Sequence, residues 1–293
     1  MTEDKLSERL LEAKGGCVRY LVGGAGPPLV LVHGLGGSAT NWCELAPLLT
    51  RGHRLVIPDL PGHGRSDPLP AVSGLHSFAD RVFDVMVEED AAPAPVVGHS
   101  LGGLVALRLA LRRPEAVSAL VLAGSAGLSI GRPWLRELIT ANVVLRPGRL
   151  AGRYRARITQ SPVLRRLVFG FVSVADPVGL TDSAVEGFLA GQVLHTDTAS
   201  AWRALRHDDP RQELERLRCP TLMLWGGEDH QLPLDDAFEY ARRLRAPLRT
   251  IAGCGHLLIG ERPEPCAHAI DAFLVSVDSR FAASAAAADT DTS

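Results

Sequence analysis

Six short apolar runs, each closed by a glycine or proline turn and followed by a helical pattern, constrain this chain more than anything else in it. Leu29–Val32 runs into HGLGG, Arg54–Ile57 into PDLPGHG and Val96–Val97 into GHSLGG. Ala119–Leu122 runs into AGSAG, Thr221–Trp225 into GGED and Leu248–Ile251 into AGCGH. Runs with apolar residues on both faces suit buried parallel strands, and the segments between them suit crossover helices. Leu101–Arg113 illustrates the helical pattern: Leu101, Leu104, Val105, Leu109 and Leu111 are apolar, Arg108, Arg112 and Arg113 are polar, and Pro114 stops it. The rhythm predicts an α/β fold, a mostly parallel central sheet with helices on both faces. Ligands bind such sheets at the carboxyl ends of their strands, where all the quoted turns fall.

The 293 residues suffice for one large domain or for a core carrying an insertion. From Ser125 to Asp209 the rhythm stops, leaving helical patterns and no convincing strand. We therefore expect core segments 1–124 and 210–279 with a helical cap inserted at 125–209. Beyond Phe273–Val277 the chain decays into RFAASAAAADTDTS, so 280–293 is expected to be disordered. The opening MTEDKLSERLLEAKGG has alternating charges and no apolar stretch; it reads as a short amphipathic helix, not a secretory signal. The weakly polar run from Val117 to Gly131 is too short to span a bilayer. Five scattered cysteines without CxxC spacing point to reduced thiols in a cytoplasmic protein. A formal charge of -2 gives no bias toward nucleic acid or stable membrane association, and the expected partner is a small molecule.

The strongest chemical signal is Gly98-His99-Ser100-Leu101-Gly102, a G-x-S-x-G between a strand and a helix. A sharp turn there holds the serine above the sheet edge, and the flanking glycines relieve its crowding. The Leu101 amide, at a helix N-terminus, is then aimed at a developing oxyanion. A nucleophilic serine needs a base and an acid that orients the base, in chain order Ser, Asp, His for this architecture. Asp229 follows the Thr221–Trp225 run, and His256 follows Leu248–Ile251 between glycines. Both thus fall on the same sheet edge as Ser100. Asp235 and Asp236 lie beyond Pro233 and read as acids of a helix N-terminus, while Glu228, one residue back from Asp229, stays a rival acid whose side chain is expected to point elsewhere. Among ten histidines only His256 combines a late position, a loop after a strand and flanking glycine. A second oxyanion donor is expected from HGLGG: Gly34 makes the turn tight and the Leu35 amide donates. His33 is assigned to shaping that loop, and His99 to packing or hydrogen bonding.

Taken together, HGLGGS, PDLPGHGRSD, GHSLGG, LWGGEDHQLP and GCGHLLIGERPE resemble, in order, the motifs of the α/β-hydrolase superfamily. The likeness is to its esterase-like members with a helical cap, and runs from about Gly16 to Phe273. It implies Ser100 as nucleophile, Asp229 as acid, His256 as base, and Leu35 and Leu101 as backbone donors, with neither cofactor nor metal. Some members carry the acid after the strand that follows the nucleophile helix; here that turn is AGSAG and offers no carboxylate. Epoxide hydrolases and dehalogenases of the superfamily use an aspartate nucleophile, against which Ser100 argues. Its ring-cleavage C–C hydrolases commonly carry Asn before the nucleophile and Trp after the base, where this chain has His99 and Leu257.

The expected activity is hydrolysis of carboxylic esters of small to medium acyl groups. C–C bond hydrolysis of a diketone-like metabolite, or a biosynthetic tailoring reaction, stands second. A non-catalytic binding module stands last, because every position of the expected triad is filled. From Arg132 to Arg166 nine arginines face one acid, Glu137. Such a face either attracts acidic substrates or an anionic lipid surface, or is a solvated face whose arginine stems lie over apolar residues; the second is the expectation. Trp134, Phe169, Phe171, Phe188 and Trp202 either line an acyl pocket or, as their helical spacing favours, pack a core.

Overall fold

A computed structural model describes residues 6–70, 73–129, 133–170 and 173–290, with side chains to residue 279. One sheet contains β1 (Ser7–Ala13), β2 (Gly16–Gly23), β3 (Pro28–Val32), β4 (Arg54–Pro58), β5 (Ala94–His99), β6 (Val117–Ala123), β7 (Thr221–Gly226) and β8 (Leu248–Ile251). Their spatial order is β1-β2-β4-β3-β5-β6-β7-β8. β1 pairs antiparallel with β2, and β2 with β4; every other neighbouring pair is parallel. The six apolar runs of the sequence thus became β3 to β8.

The helices are α1 (Ala46–Leu49), α2 (Leu75–Glu88), α3 (Leu101–Arg112), α4 (Pro133–Leu145), α5 (Pro147–Arg153), α6 (Arg155–Gln160), α7 (Pro162–Phe169), α8 (Asp182–Ala190), α9 (Thr198–Arg206), α10 (Leu234–Leu244), α11 (Leu258–Glu261) and α12 (Pro263–Thr290). Alternate residues of each central strand divide between two cores. Val30, Val32, Val96, Leu120 and Leu122 pack with α2, α3 and α10. Leu29, Leu31, Val97, Val121 and Ala123 pack with α1 and α12 on the other face. Burial of both faces explains why these strands carry no polar alternation.

Between β6 and β7 lie α4 to α9, and no strand among the described residues. This part is chopped into short helices for local reasons. Pro147 and Pro162 each occupy a first helical turn, where a missing N–H costs nothing, but neither can continue the helix before it. Ser161, Thr181 and Asp197 cap α7, α8 and α9 through side chains that accept from Leu164, Ala184 and Ser200 amides. Where the chain returns to the core, buried Arg108 of α3 holds Asp208 and Glu213, each at 2.6 Å.

One terminal expectation is corrected. The N-terminal segment read as an amphipathic helix is strand β1, registered from Ser7 opposite Val22 to Ala13 opposite Gly16. Its alternating charges are those of a protected sheet edge, with Glu8 bonded to Arg19 and Arg65. Pairing with β2 overrode a local pattern too short to decide between helix and strand. At the other end, the described backbone continues as α12 to Thr290. The alanine run there is the strongest of helix formers; residues 291–293 lie outside the described residues.

Candidate active site

Ser100 sits between β5 and α3 at φ 54°, ψ −119°, a left-handed conformation that costs a side-chain-bearing residue roughly 1–3 kcal/mol. The turn is tolerable because its neighbours are glycines. A Cβ on Gly98 would collide with the Gly102 backbone, and one on Gly102 would collide with Val32. The Ser100 amide donates to Ala123 O at 3.0 Å, tying the turn to β6.

Two distant loops meet this serine. His256 lies after β8, with Nε2 3.0 Å from Ser100 Oγ and Nδ1 2.8 Å from Asp229 Oδ2. Asp229 lies after β7, and its other oxygen, Oδ1, accepts the Gln231 amide at 2.8 Å and the Leu232 amide at 2.9 Å. Those two donors fix the carboxylate so that Oδ2 faces the imidazole. Nδ1 therefore carries its proton toward Asp229, and Nε2 is free to accept from the serine hydroxyl. Both His256 and Asp229 are buried. Glu228 is exposed, and Asp236, in the first turn of α10, accepts from Ser129 Oγ instead. Gly124, within the AGSAG turn, lies so close that a Cβ there would be 3.4 Å from His256 Nδ1.

The loop after β3 approaches Ser100 from the opposite side. Gly34 to Gly37 is a turn closed by the Gly37 amide on Gly34 O at 3.0 Å, and the residue with positive φ is Gly36, at 68°. The sequence had assigned the tight turn to Gly34. Its role is room: a Cβ there would stand 3.0 Å from Ser100 Cβ. Leu35 borders the cavity beside Ser100, Leu101 is the buried first residue of α3, and neither amide donates to a backbone oxygen among the described residues. His33 accepts the Leu60 amide on Nε2 at 2.9 Å, so Nδ1 donates to Gly34 O at 2.8 Å, the loop-shaping role expected of it. His99 donates from Nε2 to His256 O at 2.8 Å, bracing the base loop. Burial pushes both His33 and His99 down to about 3.

Sequence reasoning missed two further residues, Gln192 and His195, both from the segment between α8 and α9. Gln192 Nε2 donates to Gly36 O at 2.6 Å. His195 accepts the Gly64 amide on Nδ1 at 2.9 Å and donates from Nε2 to the same Gly36 O at 2.9 Å. Burial lowers His195 to about 4, keeping it neutral for both bonds. No motif marks either residue, because their partners come from a part of the chain 156 and 159 positions away.

Ser100 and His256 open into a cavity of about 840 Å³. One wall is the strand-edge loops; the other is α4 to α9, which contribute Leu135, Ile139, Val143, Phe169, Phe188 and Trp202 among others. Phe169, Phe188 and Trp202 are thus buried residues that also line the cavity, Trp134 does not line it, and Phe171 lies outside the described residues. A strained serine, a fixed imidazole and carboxylate, and two unpaired amides beneath an apolar wall can perform acyl transfer.

Comparison with known proteins gives a consistent result. A family model described as alpha/beta hydrolase fold matches residues 27–263. The chain is 31% identical over 273 residues to the dihydrolipoyllysine-residue acetyltransferase component of an acetoin cleaving system from Pseudomonas putida, covering 90% of this chain and 68% of that one. It is 27% identical to a 2-hydroxy-6-oxononadienedioate/2-hydroxy-6-oxononatrienedioate hydrolase from Cupriavidus pinatubonensis, over 85% of this chain and 89% of that one. Among solved structures, a hydrolase from Pseudomonas aeruginosa PA01 superposes with a TM-score of 0.73 at 26% identity, covering 91% of this chain and 98% of that one.

Proposed function

Because the chain belongs to the alpha/beta hydrolase fold family, we propose that it is a serine hydrolase, a carboxylesterase that cleaves esters of small to medium acyl groups through an acyl-enzyme. One observation carries this reading: the unbroken chain from Ser100 Oγ to His256 Nε2 and from His256 Nδ1 to Asp229 Oδ2, at 3.0 and 2.8 Å. Ser100 Oγ attacks the ester carbonyl while its proton passes to His256 Nε2. The carbonyl oxygen, now negative, accepts from the Leu35 and Leu101 amides. Collapse breaks the bond to the alcohol, which leaves with the proton held by His256. Water then repeats the attack through the same base, releasing the acid and restoring Ser100. Asp229 keeps the imidazole in the required tautomer throughout. Residues 125–209 act as a cap whose apolar side chains receive the acyl group. A cavity of about 840 Å³ falls within the range of small-molecule sites.

A second reading is C–C bond hydrolysis of a diketone-like metabolite or a related tailoring step. It is favoured by the similarity to the Cupriavidus pinatubonensis hydrolase, and disfavoured by His99 and Leu257 flanking nucleophile and base. The experiment is hydrolysis of p-nitrophenyl esters from acetyl to palmitoyl, with a vinylogous diketone alongside, for the native chain and Ser100→Ala. Ester turnover that peaks at short or middle chain lengths and collapses in Ser100→Ala is expected. Turnover of the diketone alone would transfer the assignment to the second reading.

A further inference from the structure

Among the described residues, most of the exposed large apolar side chains fall between Trp134 and Val168. Leu145 is 77% exposed, Leu167 72% and Leu150 63%, and Trp134, Leu138 and Val163 join them on α4, α5 and α7. They are neither scattered nor remote from the site: Leu138, Leu150 and Leu167 also line the cavity that opens at Ser100. The same side chains therefore form both the inner wall of the cavity and its outer lip. Water is a poor solvent for such a lip, and contiguous exposed apolar surface of this kind marks a binding face.

The charge around the lip indicates what binds. Residues 133–169 carry eight arginines and a single acid, Glu137. Three of these arginines meet carboxylates, Arg136 that of Glu137, Arg155 that of Glu186 and Arg165 that of Asp182. Arg146, Arg149, Arg153, Arg157 and Arg166 have no carboxylate partner among the described residues. Arg146 reaches only the Thr196 carbonyl, Arg149 only that of His195, and Arg157 lies over the Tyr154 ring. Arg146, Arg149 and Arg157 border the same cavity as the apolar lip. Long apolar side chains interleaved with unpaired guanidinium groups match an interface in which hydrocarbon lies just beneath a layer of negative charge.

We propose that the outer face of α4, α5 and α7 docks reversibly on an anionic phospholipid bilayer, with the leucines seated among acyl chains and the arginines against headgroup phosphates. No helix among the described residues is long and apolar enough to cross a membrane, so the contact is peripheral. In this orientation the cavity mouth faces the bilayer, and an amphiphile enters from lipid without its chain crossing water. On this proposal the arginines do more than form the solvated face expected from the sequence, because the leucines between them are exposed as well. The docking does not depend on the hydrolase reading, since it uses no residue of the triad.

The test is co-sedimentation of the full chain with phosphatidylcholine vesicles and with vesicles containing phosphatidylglycerol. Partition at least about tenfold stronger onto the anionic vesicles, weakened by high salt, is expected. Leu145→Asp with Leu167→Asp, and separately Arg153→Glu with Arg166→Glu, should each lower it about tenfold or more, and Ser100→Ala should bind like the native chain. These side chains are solvent-facing, so an unchanged Tm will verify that the variants fold. Equal partition onto both vesicle types, or binding indifferent to both double variants, would overturn the proposal. So would a failure to bind vesicles accompanied by self-association, or capture of an acidic acyl-carrying protein, that the same substitutions abolish.

Discussion

The two walls of the cavity are built on different terms. The strand-edge wall is dry and closely partnered: Asp229 takes three donors, His256 two partners, and His33 and His99 each donate to a backbone carbonyl. The helical wall is made largely of apolar side chains and arginines, many of which face solvent, and Arg146, Arg149, Gln192 and His195 in it reach only backbone carbonyls or amides. On the proposed hydrolase reading, the difference assigns a separate task to each wall. Bond-making needs atoms held to fractions of an ångström, which only a packed sheet edge with satisfied polar groups supplies. Substrate choice needs surface that differs between related proteins without disturbing the first wall, and short helices joined at prolines supply that.

The sharpest way to break this comparison is Asp229→Asn. Oδ1 is held by two backbone amides, so the asparagine carbonyl will remain there and its NH₂ will face His256 Nδ1. Nδ1 must then accept, Nε2 carries the proton, and Ser100 loses its base. A fall in kcat of about 10⁴ is expected with little change in Tm. Steady-state kinetics on the best p-nitrophenyl ester checks it, and a fall below tenfold would mean that the strand-edge wall does not perform the chemistry.

Most of this wall was legible in the sequence because its constraints are local. Gly98 and Gly102 are glycines because the Ser100 turn leaves no room for a Cβ, so the turn has to write itself into neighbouring residues. Asp229 and His256 each follow an apolar strand by a few residues, and the parallel sheet then brings them to one edge. The misassigned role of Gly34 shows the limit: that a glycine is required could be read, but not whether backbone angle or a neighbour 66 positions on demands it. The helical wall was illegible because it is held by contacts across long sequence separations. Arg108 looked like one more polar residue of α3, yet it is buried against Asp208 and Glu213. The N-terminal strand was misread for the same reason, since its partner strand, not its own pattern, decides its conformation.

A second prediction concerns what dryness costs. His33 and His99, held at about 3, and His195, at about 4, stay neutral in the fold while an unfolded chain protonates them near 6.5. The unfolded state therefore binds more protons between those values, and stability falls as pH drops from 6.5 toward 4. Asp59, Asp236 and Glu261, pushed up by burial, pull the other way, so the histidine contribution has to be isolated by substitution. His99→Gln should remove about 2 kcal/mol from the stability lost between pH 7 and pH 5. Urea unfolding of both proteins at the two pH values measures it. An unchanged pH slope would show that His99 is not held neutral by its surroundings.

The smallest expected effect lies where the two walls touch. Gly36 O, in the loop that carries the Leu35 amide, accepts from Gln192 and from His195, both supplied by the helical wall. Gln192 reaches it because Gly148 of α5 has no Cβ to obstruct the amide. Gln192→Ala leaves His195 in place, so the loop loses one of two anchors. A fall in kcat of about tenfold is expected, less than the hundredfold or more that loss of an oxyanion donor itself brings. KM should move little, and the affinity of a boronic acid that mimics the tetrahedral adduct should fall in step with kcat. Gln192→Glu should not rescue, since a carboxylate cannot donate to a carbonyl. A rise in KM with kcat intact would instead restrict the helical wall to binding. A fall in kcat that the boronic acid also registers would mean that the wall which selects the substrate also tunes the wall which transforms it, through a single carbonyl oxygen.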